Sequence, residues 1–216
     1  MKSIESTYLT SLYFSQELLH FRDAYKINSM GFFDFFMKLK PHLIALNNSK
    51  DFLDGVSFYI KDNKTICSHR AQITQHLECC KYLRNKICGH LDDEFCAMAQ
   101  KWEPTSLLKL SSDILPEKER RGRVELYVKA LIESAINSFR IDNPSQSFFN
   151  NEIDIFYPPS YKEFMNFIGY TNDNTIQILS DIAKHLQPQI NFYDGLEGTL
   201  NAIYEASQMN FRSKKK

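Results

Sequence analysis

Ile66, Ile73, Leu77, Cys80, Leu83, Ile87, Leu91, Phe95, Met98 and Trp102 recur at steps of three, four or seven residues. That spacing marks one buried stripe on a helix, and nothing else in the chain is patterned over so long a stretch. The register passes through Gly89, so the spacing predicts a helix that runs through this residue or kinks at it. A stripe of this length has to be covered, and the flanking sequence offers further helices to cover it.

Ile4, Tyr8, Leu12 and Leu19 predict a helix over 4–27, widened by Leu9, Leu18, Phe21 and Tyr25. Ser29 is placed to cap a second helix, from about Met30 to Ala45 or Leu46, with Pro41 as a kink. At helical spacing, Phe32, Phe33, Phe35 and Phe36 read as core rather than as a base-stacking platform. Asn47–Lys50 reads as a polar connection, Asp54-Gly55 as a turn, and residues 56–60 as irregular or helical. Pro116-Glu117 opens a helix along Val124, Val128, Leu131, Ala135 and Phe139. Residues 143–160 read as a long loop. Three helices follow: a short one capped by Ser160 and ending at Gly169, one over 173–187, and one from about Gly195 to Met209 along Leu196, Leu200 and Ile203. The expected fold class is all-α. Residues 1–142 form a helical bundle, and residues 143–216 form a C-terminal helical extension able to pack on the same core.

Composition narrows the function. The chain carries 26 basic and 26 acidic side chains, a formal net charge of zero. Non-specific nucleic-acid binders are usually basic, so nucleic acid would have to be held by a local patch. Met1–Ser6 does not begin a secretory signal, and the densest apolar run, Met30–Met37, is short and contains Asp34. The expectation is a soluble cytoplasmic protein with no membrane partner. Five cysteines suit free thiols in a reducing compartment. His69, His76, Cys79 and Cys80 invite a metal reading, with Cys88 further on, but no second ligand pair stands at structural-zinc spacing. Neither a metal nor a cofactor is expected. Asp92-Asp93-Glu94 points in three directions on a helix and reads as a solvated face. Walker, Rossmann, H-E-x-x-H and G-x-S-x-G patterns are absent.

On the long helix, Arg84 falls within the apolar stripe and His90 on its flank, about 120° apart at about 100° per residue. Their chemistry suits RNA. The 2′-hydroxyl is a nucleophile built into the substrate, histidine titrates near neutrality, and a guanidinium fork holds phosphate. The bland reading of the same residues pairs Arg84 with an acid on a neighbouring helix and leaves His90 at the surface edge. Lys81 and Lys86 flank the motif. Arg120, Arg121 and Arg123, beside Lys118, form the densest basic cluster and a candidate phosphate-binding surface. Interleaved with Glu117 and Glu119, the same cluster also reads as a solvated face.

Arg84-Asn85-Lys86-Ile87-Cys88-Gly89-His90, with Tyr82-Leu83 before and Leu91-Asp92 after, resembles the R-x(4–6)-H motif of the HEPN superfamily. The resemblance implies an antiparallel HEPN-like helical bundle with additional C-terminal helices. It implies a metal-independent endoribonuclease, a toxin or phage-defence effector held by an antitoxin or regulatory protein. Arg84 and His90 of two protomers would form a composite site in a homodimer acting on RNA, with Asn85 in support. A further polar residue is expected on an earlier helix, for which Asp23 and Glu17 are candidates. The alternative within the same family is a catalytically inactive interaction or nucleotide-sensing module.

Overall fold

The computed structural model describes residues 3–24, 32–88, 93–104, 117–192, 195, 198–200 and 203–204. Among the described residues the protein is all-helical, without a strand. The principal helices are α1 (Ile4–Ala24), α2 (Phe32–Gly55), α3 (Ser57–Ile60), α4 (Lys64–Leu83), α5 (Asp93–Trp102), α6 (Glu117–Asp142) and α7 (Pro158–Leu186). A π-helical turn, Arg84–Cys88, continues α4. No helix among the described residues is long and apolar enough to cross a membrane.

α4 buries the predicted stripe up to the π turn; beyond it Met98 and Trp102 lie on α5, Met98 half-buried and Trp102 45% exposed. Ile66, Ile73, Leu77, Cys80 and Leu83 are buried, and Ile87 continues the stripe in the π turn. Asn63 starts the helix, its Oδ1 accepting from the Ile66 amide at 3.2 Å. The stripe packs against α7, α2 and α6.

α7 corrects the reading of two short helices. It runs unbroken through Gly169, starting at Pro158 with Tyr157 rather than Ser160 at its N-cap. Phe164, Phe167 and Ile168 precede the glycine on the buried side, and Thr171, Asn172, Thr175 and Ile176 follow it. That continuous burial outweighs the roughly 1 kcal/mol a mid-helix glycine costs. Leu200 and Ile203, expected on a core stripe, are 55% and 60% exposed.

α2 likewise runs past the predicted boundary. It passes through Pro41 and through the polar stretch Asn47–Lys50 to Gly55. The polar groups of that stretch are bonded within the helix and to its neighbour α4, except Asn47 Oδ1, which is buried without a partner among the described residues. Ser49 Oγ donates to the Ala45 carbonyl at 2.9 Å, and Asn47 Nδ2 donates to Asp51 at 3.2 Å. The buried Lys50 ammonium bridges Asp54 at 2.8 Å and Glu78 of α4 at 2.9 Å. Phe35 is buried and Phe36 half-buried, as core positions require; the side chains of Phe32 and Phe33 lie outside the described residues.

α1 buries the expected Leu18 and packs Ile4, Tyr8, Leu19 and Phe21 against the core, but leaves Leu9 and Leu12 exposed. Its most buried positions are Thr7, Ser11, Ser15 and Leu18, whereas Leu9 and Tyr13 are each 62% exposed. The hydroxyls are satisfied within the helix, Thr7 Oγ1 donating to Ser3 O at 2.8 Å and Ser11 Oγ to Tyr8 O at 2.7 Å. This thin side of α1 packs extensively on α7, where Ser15 Oγ lies 3.4 Å from Ser180 Oγ.

The segment 143–157 is irregular but tied to α6. Buried Asn137 pairs with the Ile153 backbone in both directions, at 2.8 and 2.9 Å. Glu133 Oε2 accepts from the Ile155 amide at 2.9 Å. Phe149, Ile153 and Ile155 therefore enter the same hydrophobic core as α2, α4 and α7.

Candidate functional site

The motif begins where the α-helix of α4 gives way to the π turn. A π turn opens the bonding pattern from i→i+4 to i→i+5 and adds a residue to the turn. Angles reckoned at a uniform helical pitch therefore do not carry across Arg84–Cys88. Ile87 stays buried through this turn, which packs against α2, α4 and α6. His90 lies outside the described residues, as do Gly89, Leu91 and Asp92.

Arg84 is half-buried, and its Nη1 donates to Asn85 Oδ1 at 3.0 Å. Among the described residues Arg84 has no carboxylate partner, so the expected ion pair with a neighbouring helix is not formed within this set. Asn85 is exposed. Behind the turn, burial pushes the Cys88 thiol up to about 11, against the opposing pull of Lys40 and Arg84. The charges of these two residues, one on α2 and one on the π turn, thus converge on a single thiol. Lys40 was not singled out in the sequence, because only packing of α2 on the π turn brings it to the motif. Like Arg84, it has no carboxylate partner among the described residues.

The other predicted residues divide between the end of α4, this turn and α6. Lys81 Nζ lies 4.0 Å from Asp51 Oδ1, and Lys86 Nζ lies 5.8 Å from the Tyr82 ring centroid. Arg120 bonds Glu117 at 2.9 Å; Arg121 contacts Asp34 of α2 at 3.3 Å and Glu125 at 3.5 Å. These α6 guanidinia are thus neutralised locally. Arg123 is half-buried, and the Lys118 side chain lies outside the described residues. Of the candidates for an additional polar residue, the Asp23 side chain lies outside the described residues. Glu17 is half-buried, with Oε2 buried and unpartnered among the described residues.

The cysteine and histidine cluster separates. Cys79 and Cys80 are buried, and burial raises both thiols. His69 Nε2 donates to Asn174 Oδ1 at 2.8 Å, while His76 lies among aromatic rings. No group of three metal-binding side chains occurs among the described residues. Compared with family models, with curated proteins and with solved structures, the chain matches none.

Proposed function

We propose that the protein is a metal-independent endoribonuclease of HEPN type that works as a homodimer and serves as a toxin or defence effector. The observation that carries this reading is Arg84, a half-buried guanidinium held by Asn85 with no carboxylate partner among the described residues. A structural arginine is normally paired, whereas a phosphate clamp is kept open for its ligand. A π turn at this point supports the same reading, since such turns recur at functional sites.

Arg84 holds the scissile phosphate and the negative charge that builds on it in the transition state. The 2′-hydroxyl oxygen attacks phosphorus and the bond to the 5′-oxygen breaks. The products are a 2′,3′-cyclic phosphate and a 5′-hydroxyl. His90 enters through the motif spacing and moves the proton, from the 2′-hydroxyl or to the leaving oxygen.

The test is mixed cellular RNA incubated in excess chelator with parent, Arg84→Ala and His90→Ala proteins. The expected result is cleavage by the parent, leaving cyclic-phosphate ends, and at least a hundredfold loss in each variant. Undiminished cleavage by either variant would falsify the assignment. Intact RNA from all three folded proteins replaces it with the inactive interaction or nucleotide-sensing module.

A further inference from the structure

An open cleft of about 460 Å³ lies between α4, α7 and the segment tied to α6. Its walls are rings. His76 sits 4.6 Å from Phe148, 5.1 Å from Tyr170 and 5.6 Å from Phe167, centroid to centroid. Tyr170 is 49% exposed at the mouth of the cleft. Polar groups stand among the lining residues: the Lys162 ammonium, the Glu163 carboxylate and the Asn166 carboxamide. Burial lowers the His76 pKa, so this ring is neutral at pH 7 and stacks as an uncharged heterocycle. Its Nδ1 is buried with no hydrogen-bond partner among the described residues.

Flat apolar walls with donors and acceptors nearby match a planar heterocycle with a hydrogen-bonding edge. The volume falls in the range of small-ligand clefts. In single-strand binding, aromatic stacking works together with cations that track the backbone, here Lys162 at the cleft and Arg84 at the motif. The cleft connects to the motif by a run of rings. Phe148 lies 6.2 Å from Phe139, which lies 5.4 Å from Tyr82, under Lys86. From His76 to Arg84 is about 12 Å along α4 at 1.5 Å per residue, a span a short single strand covers.

We infer that the His76–Tyr170 cleft is a base-recognition subsite, which stacks one unpaired RNA base while the phosphate backbone continues to Arg84. This rests on the ribonuclease reading for its link to Arg84. The shared ligand chemistry is a nucleobase, carried either by a single strand or by a free nucleotide.

The test uses the full chain and a 2′-O-methyl oligonucleotide containing 2-aminopurine, which lacks the nucleophilic hydroxyl and stays uncut. Binding is read by anisotropy, stacking by quenching of the 2-aminopurine, and folding by thermal melting. Tyr170→Ala is expected to weaken binding by about tenfold and to abolish quenching without moving the melting midpoint; Tyr170→Phe keeps both. Equal affinity and quenching in Tyr170→Ala overturn the subsite. Adenosine monophosphate displacing the strand at matching concentration overturns RNA as the source in favour of a free nucleotide. The two readings fail separately. Loss of binding in Tyr170→Ala, with natural RNA left intact by the parent, keeps the subsite and discards the nuclease. Cleavage by the parent with unchanged strand binding in Tyr170→Ala does the reverse.

Discussion

Single side chains decide the charge balance at two depths of this molecule. At the motif turn, Arg84 and Lys40 add positive charge beside a thiol that burial keeps protonated. Deeper in, His42 is 1% exposed, donates from Nε2 to Asn172 Oδ1 at 2.8 Å, and stacks on Phe21 at 4.8 Å. Burial drives its pKa from 6.5 to about 4, against the smaller upward pull of Asn172. Between those values the unfolded chain binds a proton that the native state refuses, so stability falls as the pH falls from about 6.5 to about 4. The full effect is roughly 3 kcal/mol. Urea unfolding at several pH values should show this slope in the parent and its loss in His42→Gln; parallel curves would rule His42 out. Arg84 was legible from motif spacing. Lys40 and His42 were not, since charge convergence and burial depth depend on distant parts of the chain.

Among the helices, burial repeatedly overrides local signals. Pro41, the polar run after Leu46 and Gly169 each read as a boundary, and each lies inside a helix. The reason is the same in all three: buried neighbours on both sides hold the helix together across the weak residue. Gly169 shows it most simply, being exposed, with nothing within 4 Å of an added Cβ. Gly169→Ala should therefore stabilise the protein by about 0.4–1 kcal/mol, measured as a raised urea midpoint with unchanged slope. A lowered midpoint would mean that α7 needs flexibility there. α1 buries small polar side chains alongside the apolar ones expected there. Thr7 and Ser11 donate to backbone carbonyls, Ser15 lies 3.4 Å from Ser180 on α7, and side chains this small let the two helices approach closely, while the larger Leu9 stays outside.

Across the whole molecule, α7 is a principal wall of the core rather than a late addition to it. Ile168, Ile178, Leu179 and Ile182 are at most 1% exposed and share one core with Leu43, Ile73 and Ile132. A fragment ending at residue 157 would expose that core along α1, α2 and α4. Such a fragment is expected to lose cooperative unfolding, seen as a broad, shallow urea transition by circular dichroism. A sharp transition near the parent midpoint would show that the N-terminal helices fold alone. The homodimer proposed for the ribonuclease belongs to this scale too, and sedimentation of the parent at micromolar concentration tests it directly.

The sequence alone determined the all-helical class, the stripe of α4 and the short list of residues suited to phosphate chemistry. Apolar periodicity and side-chain chemistry are local properties, written into consecutive residues. The tertiary structure decided which small side chains of α1 are inside, where α2 and α7 end, and that α2 packs on the turn that carries Arg84. It also turned His76 from a metal candidate into the wall of an aromatic cleft. Each of these depends on which helices meet, and that is set by packing between segments far apart in the chain.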